Sequence, residues 1–66
     1  MKIKYFRDSD TALLEFSDRP VAVTREVSEN IYVDLDEDGN LVNMTVEHAA
    51  ERASFPEVAI EEMASA

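Results

Sequence analysis

Residues 31–46, IYVDLDEDGNLVNMTV, decide the fold, because two alternating apolar runs flank one acidic turn. The apolar positions are Ile31, Val33 and Leu35 before the turn and Val42, Met44 and Val46 after it. A period of two places these side chains on a core and leaves Asp34 and Asp36 towards solvent. Asp38-Gly39 supplies the positive φ that a hairpin turn needs. This stretch therefore predicts a β-hairpin with one buried face.

Three further strand-like runs precede the hairpin, at residues 2–6, 12–16 and 21–27. Turn residues separate them, as in Asp8-Ser9-Asp10, and β-branched side chains dominate the third run. Short connections favour antiparallel pairing over parallel crossovers. We therefore expect an antiparallel β-meander of four to five strands over residues 1–46.

A different pattern follows the last strand. Residues 47–53 are good helix formers, and Ser54 and Glu57 then stand at capping-box spacing around Pro56. The sequence therefore predicts a helical tail over 47–64, with one or two C-terminal helices packed on one face of the sheet. Residues 1–66 are predicted to form one small α+β domain.

The chain is short and lacks the usual means of stabilising a small domain. A domain of 66 residues buries only about 60% of the surface that its unfolded chain exposes. There is no cysteine, and the lone His48 cannot form a histidine-based zinc site by itself. We expect no cofactor. We also expect self-association, as a homodimer, because a dimer interface adds apolar burial.

The charge is unevenly distributed along the chain. Residues 1–25 hold five bases and four acids, whereas residues 26–66 hold eleven acids and one base, so the two parts carry +1 and −10. This balance repels phosphate backbones, and we expect no nucleic-acid binding. It attracts a basic protein partner, although acids also keep a small domain soluble. With no apolar stretch typical of a signal peptide or a membrane span, we expect a cytoplasmic protein without membrane contact.

The acidic turn also resembles a calcium loop. Asp34, Asp36, Asp38 and Gly39 occupy the first, third, fifth and sixth positions of the EF-hand pattern. The twelfth position holds Thr45 instead of a bidentate Glu, and strands replace the flanking helices. The hairpin interpretation is therefore favoured, and divalent-metal (Ca²⁺) binding through Asp34, Asp36 and Asp38 is kept as an alternative.

No residue pattern predicts catalysis. His48 has neither a nucleophile nor an orienting acid in a recognisable motif, so we expect a protein that is not an enzyme. Tyr32 falls opposite the apolar side of its strand, where it suits a partner contact. The predicted partner-binding residues are Asp34, Asp36, Glu37, Asp38 and Tyr32. The sequence predicts a non-enzymatic acidic interaction module; a purely structural homo-oligomer is a second alternative.

Residues 5–17, YFRDSDTALLEFS, resemble the opening Tyr-Asp-x-x-x-Asp-Ala-Leu-Tyr-Ile-x-Leu of a small prokaryotic family, domain of unknown function 2283. Its later Ile-x-x-Asp-x-Asp-x-x-Gly-x-x-Val pattern is echoed by Val33, Asp34, Asp36, Gly39 and Val42. The resemblance implies a compact sheet-plus-helix domain without an assigned activity. It also implies an antitoxin-like role, since such members often sit beside small basic proteins resembling ribonuclease toxins.

Overall fold

The computed structural model describes residues 1–65, which form one five-stranded antiparallel sheet followed by one short helix. The elements are β1 (Lys2–Phe6), β2 (Thr11–Glu15), β3 (Val23–Ser28), β4 (Ile31–Leu35), β5 (Leu41–Glu47) and α1 (Ala49–Arg52). The five predicted strands and their antiparallel pairing are confirmed. The helical content is small, so the fold is predominantly β.

The sheet combines a β1–β2 hairpin with a β3–β4–β5 meander, in the order β1-β2-β5-β4-β3. Residues 16–22 carry the chain from β2 to the far edge, so β5 takes the central place beside β2. The amides of Phe16 and Ser17 both donate to the Val42 carbonyl, at 2.8 and 3.3 Å. The Ala22 amide donates to the Leu35 carbonyl at 2.8 Å. These bonds fix the crossing segment to β4 and β5.

Strand register sorts the side chains onto two faces. The apolar face carries Ile3, Tyr5, Ala12, Leu14, Arg25, Ile31, Val33, Met44 and Val46. The polar face carries Lys2, Lys4, Phe6, Thr11, Leu13, Glu15, Thr24, Glu26, Tyr32, Asp34, Asn43, Thr45 and Glu47. Alternation in the sequence predicts this division for β4 and β5, and the register extends it to all five strands.

The core lies at one end of the apolar face. Ala49 of α1 packs against Ala12 and Val46, and Phe55 packs against this cluster. Buried apolar residues in the described part are limited to Ala12, Val42, Val46 and Ala49, and no large side chain there is fully buried. The core is therefore small, and most of the apolar face is only half-buried.

The predicted helical tail is wrong over most of its length. Glu47 still belongs to β5, the helix spans only Ala49–Arg52, and residues 53–65 contain no further helix. Glu57 donates its amide to the Ser54 carbonyl at 2.8 Å, which closes a turn instead of a capping box. Pro56 disfavours helical geometry at Phe55, and a short segment without packing is marginal as a helix. None of the described helices has the length and apolar character to cross a membrane.

Candidate functional site

The polar face carries a ladder of side chains that crosses all five strands. Lys4 on β1 pairs with Glu15 on β2 at 3.1 Å, and Glu15 lies opposite Asn43 on β5. The next strand, β4, contributes Asp34, whose Oδ2 accepts a hydrogen bond from the side-chain Nδ2 of Asn43 at 3.2 Å. The Thr24 hydroxyl on β3 donates to Asp34 Oδ1 at 2.6 Å. The ladder holds the Asp34 carboxylate in one fixed orientation across three strands.

Tyr32 lies between two acids on the same face. Its register partners are Glu26 on β3 and Thr45 on β5, and Glu47 is the next residue of β5 on that face. The carboxylates of Glu47 and Glu26 disfavour a nearby phenolate and raise the pKa of Tyr32 above its usual value. A half-buried aromatic side chain is therefore flanked by negative charge.

All carboxylates of the described strands lie on this face, namely Glu15, Glu26, Asp34 and Glu47. Sequence reasoning included Asp34 and missed the other three, because it treated the acidic turn as the centre of the surface. Alternation within each strand carries the signal for the missed residues. The pairing of β2 with β5, of β5 with β4 and of β4 with β3 brings them onto one surface.

Asp36 belongs to the interior of the turn. Its side chain is 6% exposed, so the prediction that it faces solvent is wrong. Oδ1 accepts hydrogen bonds from the amides of Asp38 at 2.9 Å and Asn40 at 2.8 Å. Oδ2 accepts from Arg19 Nη1 at 3.0 Å. The Asn40 amide and the Arg19 guanidinium outweigh desolvation and hold the pKa of Asp36 below its usual value.

Glu37 and Asp38 are exposed at the tip of the turn. With Asp36 they line one side of a shallow open pocket of about 460 Å³, whose other side is formed by residues 19–22 of the crossing segment. The five predicted partner-binding residues therefore separate into three places. Tyr32 and Asp34 lie on the polar face, Glu37 and Asp38 lie at the tip, and Asp36 is buried.

The three aspartates of the calcium hypothesis do not converge. Asp34 points onto the polar face, where Thr24 and Asn43 bind its two oxygens. Asp36 is engaged by donors inside the turn. Within residues 1–65, no group of three or more metal-ligating side chains is close enough to hold an ion. The geometry gives the calcium alternative no support.

A second aspartate, Asp10, fastens the helix to the sheet. It lies in the β1–β2 turn with φ 52°, and its Oδ1 accepts hydrogen bonds from the Tyr5 hydroxyl at 2.6 Å and the Ala50 amide at 3.0 Å. Its carbonyl accepts from the Ala49 amide at 2.8 Å. The hydrogen bond from the Tyr5 hydroxyl lowers the pKa of Asp10 most, and the bond from the Ala50 amide lowers it further. The bond between Tyr5 and Asp10 also raises the pKa of Tyr5. Asp10 thus caps α1 from another part of the chain.

His48 occupies the residue before α1. Its backbone is left-handed, with φ 55°, and its Nδ1 lies 4.0 Å from a carboxylate oxygen of Glu51. This position agrees with the predicted place of His48 at the start of a helix.

The sequence model of a family described as "Protein of unknown function (DUF2283)" matches residues 2–49. The chain belongs to this family. The resemblance in residues 5–17 and 33–42 is thereby confirmed. A comparison with curated proteins found no match, and a comparison with solved structures found none either.

The DUF2283 match covers the whole sheet, including the polar face and the acidic turn. It ends at Ala49, the first residue of α1, so the rest of α1 and the tail lie outside it. The family description assigns no activity. Any function must therefore be argued from the surfaces of this chain.

Proposed function

We propose that this protein is a non-enzymatic interaction module that docks a basic protein partner on its polar face. The observation that carries the proposal is the segregation of charge in the sheet. Every carboxylate of the described strands lies on the polar face. Alternation in an antiparallel sheet places charged side chains on the face opposite the core. The excess of carboxylates over lysines on that face, four against two, is what attracts a basic partner.

The acids of the polar face are concentrated at one side. Its two lysines, Lys2 and Lys4, both lie on the edge strand β1, and Lys4 is paired with Glu15. The unpaired acidity therefore lies towards β5, β4 and β3, around Glu26 and Glu47. A basic partner approaching a chain of net charge −9 is steered to this side.

Tyr32 provides apolar contact area, which the charged side chains around it do not. Tyrosine combines a large apolar ring with a hydroxyl group, and it is enriched at protein interfaces for that reason. Its hydroxyl is protonated at neutral pH, well below the usual tyrosine pKa of about 10, and the adjacent acids raise that pKa further. Tyr32 is therefore the proposed anchor, and Glu26, Glu47 and Asp34 surround it. Glu37 and Asp38 extend the acidic surface at the tip of the turn.

The proposal includes the class of partner. Following the family resemblance, the proposed partner is a small basic protein like a ribonuclease toxin, and the chain would then act like an antitoxin in the cytoplasm. Binding by surface charge and one aromatic anchor requires neither a cofactor nor a catalytic residue.

The test compares two double variants with the same change in charge. Glu26→Lys with Glu47→Lys alters the polar face, and Glu61→Lys with Glu62→Lys alters the exposed tail by the same amount. Each tagged chain is incubated with native cell lysate at low and physiological salt, and retained proteins are identified by mass spectrometry. Association rates are then measured with the purified partner.

We expect a basic protein to be retained by the wild type and the tail variant, with association slowed about tenfold or more in the polar-face variant. Equal reductions of the association rate in both variants would show that only net charge matters, and would contradict the proposed role of the polar face.

A further inference from the structure

We infer that the apolar face is the interface of a homodimer, in which two copies of this chain stack apolar face against apolar face. The two polar faces then point outwards on opposite sides. This inference concerns the other side of the sheet and stands independently of the proposed partner docking.

Within one copy, the apolar face of the sheet is only partly covered. α1 and Phe55 cover the end near Ala12 and Val46. In the next row of the face, Leu14 and Met44 are only half-buried, as are Leu13 and Thr45 on the polar face. A sheet with one apolar face needs a second layer against that face. Val42, at the other end of the face, is also buried, so within one copy the middle row of the face lacks a complete second layer.

The tail of the same copy does not complete the layer. Val58, Ile60 and Met63 are 50%, 78% and 69% exposed, so they are not packed on the sheet. The chain has no cysteine that could add a disulfide instead. Domains of this size commonly gain the missing stability by oligomerisation.

The distribution of charge favours a second copy as the occupant. Arg25, on the edge strand β3, is the one charged side chain that the described strands place on the apolar face. A partner recognised through charge finds almost no complementary group there. Another apolar face matches it, and stacking keeps the carboxylates of both copies on the outer surfaces, away from the interface.

The size of the face agrees with a modest dimer interface. Five strands about 4.8 Å apart and about 17 Å long present about 400 Å² in projection. α1 and Phe55 cover one end of each face, so the pair buries less than the ~1,200 Å² of standard interfaces and lies in the range of weak, concentration-dependent contacts. Sheets in such a sandwich pack about 10 Å apart with their strands nearly aligned.

Met44 is the residue with which to test this arrangement. It is the middle residue of β5, the central strand, so it lies nearest to a two-fold axis through the apolar face. Thr45 is its neighbour on the polar face and provides a matched control. Because the chain has no cysteine, Met44→Cys and Thr45→Cys each introduce a single thiol. A short bismaleimide is used, since sheets about 10 Å apart hold thiols beyond the reach of a disulfide.

We expect Met44→Cys to give a covalent dimer in high yield and Thr45→Cys to remain mostly uncrosslinked. Equal yields, or a higher yield for Thr45→Cys, would overturn the proposed interface.

Sedimentation of the 66-residue chain provides a second measurement. The wild type should approach twice its monomer mass of 7.4 kDa as concentration rises, and its melting temperature should rise with concentration. Met44→Glu should weaken the dimer by at least about 100-fold, because it buries an unpaired charge. Thr45→Glu adds the same charge outside the interface and should leave the dimer intact.

The salt dependence of affinity distinguishes the homodimer from the docking of a basic partner. Two copies of charge −9 repel each other, so the homodimer should tighten as salt increases, whereas docking of a basic partner should weaken. If Met44→Glu does not fold, the cross-linking yields and the wild-type melting curves still decide the question. A folded wild type that stays monomeric at every concentration, with a constant melting temperature, would overturn the inference.

Discussion

Arg19 and Asp36 tie the crossing segment of the sheet to the acidic turn, with the guanidinium Nη1 lying 3.0 Å from Asp36 Oδ2. Arg19 is mostly exposed, whereas Asp36 is buried. The pair joins residues 16–22, which carry β3 to the far edge, to the turn between β4 and β5. The acid that sequence alternation places in solvent is thus a structural centre of the fold.

Replacement of Asp36 should destabilise the chain more than replacement of Arg19. Asp36→Ala leaves the amides of Asp38 and Asn40 without their acceptor, in addition to breaking the ion pair. We expect a fall in melting temperature of about 10 °C for Asp36→Ala and a smaller fall for Arg19→Ala. The measurement is thermal unfolding followed by circular dichroism. Asp38→Ala removes an exposed acid of the same turn and serves as the control; an equal fall in this control would contradict the assigned role of Asp36.

Acid should unfold the protein partly through Asp36. The pKa of Asp36 is lower in the folded chain than in the unfolded one, because the Asn40 amide and Arg19 favour its charged form. The resulting stability is fully present above the unfolded pKa of about 3.9 and is lost as the pH falls through the folded pKa. Urea midpoints measured from neutral to acid pH should fall less steeply in Asp36→Asn than in the wild type. If the urea midpoint fell equally steeply with pH in both proteins, Asp36 would not contribute to the acid sensitivity of the fold.

Local alternation is sufficient to predict the strands but not their order. The apolar positions of residues 31–46 predict β4, β5 and the turn between them, since a period of two and a Gly at positive φ are local signals. Nothing local specifies that β2 pairs with β5. That choice depends on which apolar surfaces match, as at Leu14 opposite Met44.

The limits of local sequence signals also explain why the predictions of an exposed Asp36 and of a helical tail were wrong. Asp36 follows the last residue of β4, where the chain turns and the alternation no longer applies. The spacing of Ser54 and Glu57 is compatible with a capping box, but a capping box needs a helix to cap. Pro56 and the lack of a packing partner prevent one. Alternation indicates which side of its strand each acid takes, but only the register shows that Glu26 and Glu47 lie on either side of Tyr32.

Loss of the Asp10 cap should release α1 without unfolding the sheet. Asp10→Ala removes the acceptor of the Ala50 amide, and it also breaks the bond from Tyr5. We expect hydrogen exchange at Ala49 and Ala50 to accelerate about tenfold, with little change at β5. The measurement is amide exchange followed by NMR. Asp8→Ala changes an exposed acid of the same turn and should leave both amides protected; acceleration there would refute the specific role of Asp10.

The titration of Tyr32 reports directly on the charge of the polar face. Glu47 raises its pKa most, followed by Glu26, because each carboxylate repels the phenolate. Glu47→Gln should therefore lower the pKa of Tyr32 towards its usual value of about 10, and Glu26→Gln should lower it less. The measurement is the ultraviolet absorbance of the phenolate in a Tyr5→Phe background, which leaves one titrating tyrosine. Glu61→Gln removes a charge from the tail and should leave the titration unchanged. If all three variants gave the same titration curve, Tyr32 would not lie among the acids of the polar face, and the proposed docking surface would lose its anchor.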